Sequence, residues 1–196
     1  MTIQTMCPDC GAIPGLPHHD DCDIQRCSVC GTQRLTCGCE GHEPLRSIWT
    51  GDLPKKKNVE LSLKLSKDKR IGAKRKQCYY NAFKTLYYCH EYAHATYVEG
   101  IAVVGTLSLE HGWIEFNDEI IDPTLPTDTF VYFPGLRCEG PLGISMALRR
   151  SKPSYCDDLP FFYRFGWGGC DCPEFAAARQ AAERFVGQFV EQQSLN

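Results

Sequence analysis

Small and apolar residues recur every three or four positions in two stretches of this 196-residue chain. In the first stretch, 77–93, this period predicts a helix. In the second, 173–192, a proline stands at the first helical position, where its missing N–H costs nothing, so we predict a closing helix. The apolar stripe of that helix comprises Phe175, Ala178, Ala182, Phe185, Val186 and Phe189.

Three segments between these helices have the composition or spacing of β-strands. The segment 97–104 is rich in β-branched residues, which favour strands. The segments 109–116 and 119–122 are separated only by Asn117 and Asp118. This short separation predicts a hairpin with a two-residue turn.

Composition divides the chain into three parts. Residues 1–45 are rich in cysteine, residues 46–76 are strongly basic, and residues 77–196 hold nearly all the aromatic residues and the periodic apolar pattern. Within the third part, prolines and glycines interrupt 127–169, where we expect loops and short strands, with a core strand at 161–167. The chain is therefore predicted to be an α+β domain that follows a small cysteine-rich module and a basic connector.

Seven of the thirteen cysteines lie before residue 40, and four of these form two Cys-x-x-Cys-Gly turns. The turns, at 7–11 and 27–31, are separated by about sixteen residues, which matches zinc-ribbon spacing. Two structural zinc ions need eight ligands, and one histidine completes that number. The candidate zinc ligands are Cys7, Cys10, His18, Cys22, Cys27, Cys30, Cys37 and Cys39.

The order of these ligands leaves their pairing open. In a sequential scheme the first four candidates hold one zinc ion and the last four hold the other. In an interleaved scheme both Cys-x-x-Cys turns share one ion, and in either scheme His19 is an alternative to His18. The alternative to metal binding is a disulfide-linked or free-thiol segment, but thiols stay reduced in the cytosol, where we place this chain. Because the segment has almost no apolar core, we expect its folding to depend on metal.

The net charge of −3 conceals a basic block between residues 54 and 76, where ten residues are lysine or arginine and only Glu60 and Asp68 oppose them. Such a block is typical of a solvated linker, and the alternative is a contact for nucleic acid or another polyanion. The first residues lack the pattern of a signal peptide, and no apolar run approaches the roughly 20 residues of a membrane span. We therefore expect a cytoplasmic protein without membrane contact.

Cys78 opens the first predicted helix, where the positive end of the helix dipole favours a thiolate. A thiolate nucleophile needs a histidine to move protons and a carboxylate to orient that histidine. With a two-residue turn at 117–118, strand pairing places His111 and Asp122 on one sheet face as diagonal neighbours within side-chain reach. One extra residue in the turn would separate them, because every following side chain would change face.

A helix-initial cysteine, a strand with His-x-Trp and a strand that ends in Asp-Pro-Thr resemble the transglutaminase-like branch of the papain-type cysteine enzymes, over about residues 77–124. The resemblance implies a papain-like core, in which a helix packs on an antiparallel sheet, and a covalent acyl-enzyme formed with a protein or peptide substrate. It makes Cys78 the nucleophile, His111 the general base and acid, and Asp122 the orienting carboxylate. Hydrolysis, deamidation and transamidation share this half-reaction, and the residues do not choose among them.

Each of these residues also has an ordinary structural explanation. Cys78 fits a buried core thiol, His111 a hydrogen-bonded strand histidine, and Asp122 a turn former before proline. The alternative function is a non-catalytic adaptor, in which the zinc module and the basic connector hold nucleic acid or a protein partner. The two functions differ at Cys78, because an enzyme needs an accessible thiol whereas an adaptor predicts a buried one.

Overall fold

The computed structural model describes residues 6–51, 53, 55–150, 160–165 and 171–194. The strands are β1 (Lys56–Lys57), β2 (Thr96–Val104), β3 (Leu107–Phe116), β4 (Glu119–Ile121) and β5 (Val131–Glu139). The α-helices are α1 (Val59–Ser66), α2 (Cys78–Tyr88), α3 (Gly140–Arg150) and α4 (Pro173–Ser194). Short 3₁₀ helices occupy Arg34–Thr36, Pro44–Arg46, His90–Tyr92 and Phe161–Phe165.

The strands form one mixed sheet in the order β1-β4-β3-β2-β5, with β1 parallel to β4 and the other neighbours antiparallel. This sheet and its helices make the fold α+β, as the sequence predicts. Both β1 and α1 come from the basic segment 46–76, so part of the predicted connector joins the sheet. Asn58 starts α1, because its side-chain oxygen accepts a hydrogen bond from the Leu61 N–H at 2.9 Å.

Helix α2 lies directly on β3, and a glycine makes this close approach possible. The backbone of Gly112 faces Tyr79, and a Cβ atom at Gly112 would lie only 2.7 Å from the Tyr79 ring. Farther along, α2 buries Ala82 and Leu86, two of the positions in the predicted apolar pattern. Since Cys78 is the first residue of α2, the same contact brings the candidate nucleophile to the sheet.

The closing helix α4 completes the main core with the apolar stripe that the sequence predicts. Phe162, from the 3₁₀ helix Phe161–Phe165, stacks on Phe175 of α4 with ring centroids 3.7 Å apart. None of the described helices is long and apolar enough to cross a membrane. In the stripe, Phe175, Ala178, Ala182 and Phe185 are buried, and Val186 and Phe189 pack beside them.

A second apolar cluster is formed by side chains that alternate along the strands with those facing α2. On β3, for example, Ile114 belongs to the main core and Trp113 belongs to the second cluster. Leu125, in the loop after β4, packs against this cluster. The sheet therefore buries apolar side chains in two clusters. The second cluster comprises Val98, Ala102, Trp113, Ile120, Phe130 and Tyr132.

The first predicted helix ends earlier than its apolar period suggests. Helix α2 stops at Tyr88, Cys89 has extended backbone angles (φ −114°, ψ 92°), and a 3₁₀ turn follows. Cys89 and Tyr92 are both buried, which explains why the apolar spacing continues beyond the end of the helix. The apolar pattern of the sequence therefore continues past the last residue of the hydrogen-bonded helix.

The prediction of loops and short strands over 127–169 is wrong for much of that segment. It contains the nine-residue β5 and the eleven-residue α3. Pro134 is tolerated in β5 because β5 is an edge strand and its partner has an irregular register between Glu99 and Gly100. The stretch expected as a core strand at 161–167 is instead a 3₁₀ helix over Phe161–Phe165, and its last two residues lie outside the described residues.

The cysteine-rich segment is attached to the rest of the chain by hydrogen bonds to its backbone. The Gly15 N–H donates to the Trp49 carbonyl at 2.7 Å. From α4, the Arg184 Nε donates to the Pro14 carbonyl at 2.8 Å. Gly15 has a positive φ of 90°, and a Cβ there would lie 2.1 Å from the carbonyl oxygen of Ala181, so only glycine allows this contact. The module is thus packed against the closing helix.

Candidate functional site

The β3–β4 hairpin has the register that the sequence predicts. Asn117 and Asp118 form the turn with positive φ angles of 51° and 58°, which a type I′ turn requires. Ile114 pairs with Ile121, as a two-residue turn dictates. Consequently the His111 Nε2 and the Asp122 Oδ2 meet at 2.6 Å, and both side chains are buried.

The Cys78 thiol lies beside the same imidazole, at the start of α2. Burial by itself lowers the pKa of His111, but the charge and hydrogen bond of Asp122, together with the interaction with Cys78, outweigh burial and raise the pKa to about 9. Because Nε2 faces Asp122, Nδ1 is the ring nitrogen that remains for Cys78. The imidazole thus lies between a thiol and a carboxylate, and Cys78 itself is partly exposed.

Hydrogen bonds hold the Asp122 carboxylate from three further directions. Its Oδ2 also accepts from the Tyr132 hydroxyl at 2.9 Å. Its Oδ1 accepts from the backbone N–H groups of Thr124 and Leu125 at 2.8 and 3.1 Å. The Asp122 N–H donates to the Ser62 hydroxyl at 2.9 Å. A carboxylate with this many donors is fixed in one orientation, which suits it to orient a histidine.

Most of these supporting residues could not be predicted from the sequence. Ser62 lies in the segment expected to be a linker, and Tyr132 lies in the segment expected to be irregular. The backbone hydrogen bonds to Asp122 could be predicted, because an Asp side chain commonly accepts hydrogen bonds from the backbone two or three residues farther along in a turn. Nothing in the sequence points to Tyr132 or Ser62, since only the assembled fold brings β5 to the carboxylate and α1 to the backbone N–H of Asp122.

Aromatic rings surround His111 on the sheet. The Trp113 ring lies nearly parallel to the His111 ring, with centroids 6.3 Å apart and planes at 16°. The Tyr132 ring meets the Trp113 ring edge-on at 5.0 Å. Trp113 is fully buried, and its indole N–H has no hydrogen-bond partner among the described residues. These rings exclude water from one side of the imidazole and limit its rotation.

A buried carboxyl group fixes the 3₁₀ helix near the start of α2. Glu99 accepts hydrogen bonds from the Tyr97 hydroxyl at 2.7 Å and from the backbone N–H groups of Phe161 and Phe162 at 2.7 and 2.8 Å. Burial raises the pKa of Glu99 to about 7, although these hydrogen bonds oppose the rise. The Tyr79 and Phe162 rings are 6.2 Å apart, so Glu99 stabilises the segment that packs beside the residue after Cys78.

The eight predicted metal ligands form two groups in the sequential order. The first group is Cys7, Cys10, His18 and Cys22, and the second is Cys27, Cys30, Cys37 and Cys39; within each, the ligand atoms lie within 4.8 Å of one another. In the first group the Cys7 and Cys22 sulfurs are 3.7 Å apart. The His18 Nδ1 lies 3.1 Å from the Cys22 sulfur and 3.5 Å from that of Cys10. Both groups can therefore hold a metal ion.

The two groups share one local structure at their Cys-x-x-Cys-Gly turns. The Gly11 N–H donates to the Cys7 carbonyl at 2.9 Å, and the Gly31 N–H donates to the Cys27 carbonyl at 2.8 Å. Both glycines have a left-handed φ, 73° and 74°, which other residues adopt only with strain. The repeated sequence therefore encodes a repeated turn that presents two thiols on one side.

The structure thus brings Cys78, His111 and Asp122 together and separates the metal ligands into two sets of four. No protein-family model matches this chain, and no curated protein and no solved structure matches it significantly.

Proposed function

We propose that this chain is a cysteine-dependent hydrolase or acyltransferase of the transglutaminase-like type, acting on an amide or related acyl group of a protein or peptide substrate. The observation that carries the proposal is the buried His111–Asp122 pair at 2.6 Å with Cys78 beside its imidazole. Partial exposure of Cys78 also supports it, because Cys89 and Cys138 are buried. An attacking thiol must be reachable, whereas a structural thiol need not be.

In the proposed reaction, the proton of the Cys78 thiol is already on His111, whose raised pKa favours the imidazolium at neutral pH, and the thiolate sulfur attacks the acyl carbon. The carbonyl electrons move onto oxygen and return as the carbon–nitrogen bond breaks, and His111 gives its proton to the departing amine. A thioester remains on Cys78. Water or a second amine then attacks the thioester and loses a proton to His111, and the carbon–sulfur bond breaks, which restores the thiolate beside the imidazolium. Asp122 keeps its charge and holds the imidazole in one orientation throughout.

The first turn of α2 is the proposed site for the oxygen that becomes negative during this reaction. Gln77, the N-cap residue of α2, makes no capping hydrogen bond with its side chain. The Cys78 N–H, at the first position of the helix, therefore has no Gln77 side chain to compete with a substrate oxygen. Donors placed at this point, with the exposed Gln77 amide near them, would stabilise an oxyanion on the carbon attacked by Cys78.

We also propose that both ligand groups hold Zn²⁺. A tetrahedral Zn²⁺ ion with bonds of about 2.3 Å to sulfur places its sulfur ligands about 3.8 Å apart, and the Cys7 and Cys22 sulfurs are 3.7 Å apart. Three thiols with an imidazole, and four thiols, are donor sets that zinc favours. Because four protein ligands complete each site, the ions would hold the module folded and take no part in the reaction.

A pulse of iodoacetamide on zinc-loaded protein, followed by peptide mapping, tests the thiol chemistry. We expect alkylation of Cys78 at neutral pH to be at least about tenfold faster than that of a cysteine in an unstructured peptide. His111→Ala should remove this advantage. Cys89→Ala is the matched control, because Cys89 lies at the end of the same helix but is buried, and it should leave the rate unchanged. Equal rates in the wild type and His111→Ala would favour the adaptor function.

Formation of the acyl-enzyme needs a separate measurement. The full chain mixed with p-nitrophenyl acetate should release a burst of about one equivalent of nitrophenolate, as expected for a covalent intermediate. Mass spectrometry should then find the acetyl group on Cys78, and Cys78→Ala should abolish both signals. A wild-type chain that alkylates quickly at Cys78 but never carries an acetyl group there would contradict acyl transfer.

A further inference from the structure

A cavity of about 600 Å³ lies between the cysteine-rich end of the chain and the sheet. One wall comes from the cysteine-rich segment and the residues just after it, including Cys27 and Ile48, and the other comes from the sheet, including Ile120 and Tyr132. No sequence motif predicts the cavity, because the residues that line it are up to 114 positions apart in the chain, from His18 to Tyr132. Five cationic side chains from both walls line it, namely those of Arg26, Arg46, Lys55, Lys56 and Lys57.

Carboxylates neutralise only part of this charge. Lys55 lies 3.0 Å from Glu115, but a further arginine also contacts that carboxylate. Lys56 lies 3.7 Å from Glu119, and its side chain is 82% exposed, so this ion pair is weak.

Arg46 lies 2.9 Å from Glu43, but both side chains are exposed, so this ion pair is weak too. Lys57 donates to the Phe130 carbonyl, which carries no net charge. Arg26 has no ion-pair partner among the residues that the structure describes. None of the described residues that line the cavity is acidic.

We propose that this cavity binds a compact anion that carries more than one phosphate or carboxylate group. The guanidinium groups of Arg26 and Arg46 match the paired oxygens of such groups, and the lysines add point charges. Ser28 and Thr50 also line the cavity and supply hydroxyl donors. These features together form a site that favours several negative charges in a small volume.

Size and composition favour a small ligand over a nucleic-acid strand. A volume of about 600 Å³ is within the range of roughly 300–1,000 Å³ for small-molecule sites. Strands of nucleic acid are held by extended basic grooves with aromatic rings that stack on successive bases. Tyr132 is the one aromatic ring, apart from the imidazole of His18, among the described residues that line this cavity.

The cavity also touches the support of the candidate thiol site. Tyr132 lines the cavity, and its hydroxyl donates to Asp122 at 2.9 Å. A bound anion would therefore contact the residue that helps to orient the carboxylate. Binding itself does not depend on the proposed function, because the cationic side chains are separate from Cys78 and His111.

Isothermal titration of the full, zinc-loaded chain tests the site, with inorganic pyrophosphate and citrate as probes for the two kinds of anion. We expect at least one probe to bind with one-to-one stoichiometry and an affinity that falls as salt concentration rises. The double variant Arg26→Gln/Lys56→Gln should weaken binding about tenfold or more, as loss of charge-assisted hydrogen bonds predicts. Both side chains are exposed, so the fold should be unaffected.

The matched control is Lys67→Gln/Lys69→Gln, which removes the same charge from exposed positions outside the cavity. It should change the affinity by less than about twofold, since only screened, distant charge is lost. Zinc content is measured before and after each titration. Equal weakening in both double variants, heat that accompanies loss of zinc, or no binding of either probe would each overturn the proposal. Success or failure here leaves the alkylation and burst experiments on Cys78 unaffected.

Discussion

The side-chain amide of Asn81 donates to the Thr124 hydroxyl at 2.9 Å, and this contact joins two parts of the candidate site that are distant in sequence. Asn81 lies one turn after Cys78 in α2, and Thr124 lies two residues after Asp122. The same amide also donates to the Lys74 carbonyl and accepts from the Lys74 N–H. One buried amide therefore holds the helix of the thiol against the loop of the carboxylate.

Replacing Asn81 with alanine should loosen this arrangement. Asn81→Ala removes three hydrogen bonds and leaves their partners unsatisfied, so we expect a loss of about 1–3 kcal/mol in the free energy of unfolding. We also expect slower alkylation of Cys78, because the thiol no longer has a fixed position beside His111. Urea denaturation and the iodoacetamide pulse measure the two effects separately.

Thr85→Ala is the matched control for Asn81→Ala. Thr85 is a buried residue one turn farther along α2, and its hydroxyl donates only to the carbonyl of Asn81 within the same helix. Its loss should lower stability without slowing alkylation of Cys78. If both variants slow alkylation in proportion to their loss of stability, Asn81 has no specific part in positioning the thiol.

Asp122→Asn should move the titration of His111 to lower pH. In the wild type, burial lowers the pKa of His111, but Asp122 and Cys78 together outweigh burial and raise the pKa to about 9, so the imidazolium is present below that value and is lost as pH rises through it. An asparagine removes the negative charge that favours the imidazolium. We expect the alkaline limb of acyl transfer from p-nitrophenyl acetate to shift downward, together with the imidazole resonances of His111 in an NMR titration. A titration of His111 that stays near pH 9 would contradict this prediction.

Metal stoichiometry in cysteine variants should distinguish the two pairing schemes. Purified protein should carry about two equivalents of zinc, one for each four-ligand group. In the sequential arrangement, Cys10→Ser/Cys22→Ser removes two ligands from one site and should leave about one equivalent. Cys10→Ser/Cys30→Ser removes one ligand from each site. It should leave less than one equivalent of zinc, because neither site keeps four ligands. The opposite order of the two double variants would indicate interleaved pairing.

Removal of both metal ions should unfold the cysteine-rich module. Its apolar core is a small cluster that includes Ala12 and Trp49. Metal binding therefore contributes much of the folding free energy of the module. We expect a strong chelator to abolish the contact between Arg184 and Pro14 while the sheet keeps its structure. Proteolysis mapped by mass spectrometry should then cut within 1–45 first, and re-addition of zinc should restore protection.

Glu99 should make stability fall as pH rises from the acidic to the neutral range. Burial raises the pKa of Glu99 from its ordinary value of 4.5 to about 7 in the folded chain. As pH rises, the unfolded carboxyl therefore ionises first, and the folded state loses stability on the order of 3 kcal/mol between these values and no more above pH 7. Glu99→Gln lacks this loss, so the difference in unfolding free energy between pH 5 and pH 8 should be smaller in the variant. Equal pH dependence of the two proteins would contradict a raised pKa.

Local sequence was sufficient to predict the elements that carry the candidate site. A helix that begins at Cys78 and a two-residue turn at 117–118 are determined by short-range rules, namely apolar period and tolerance of positive φ. The pairing of His111 with Asp122 follows from those rules, because strand register propagates from the turn. The metal ligands could be predicted from the sequence for the same reason, since each Cys-x-x-Cys-Gly turn forms within five residues.

Only the tertiary structure decided which distant segments support these elements. Ser62 and Tyr132 contact Asp122 because α1 and the edge strand β5 pack around β3 and β4. The sequential grouping of the metal ligands and the meeting of Arg26 with Lys57 at one cavity arise in the same way. The physical reason is that hydrophobic period and turn chemistry specify conformation over a few residues. Contacts between distant segments depend on how the whole chain buries its apolar surface. The local pattern does not specify which distant residues will meet.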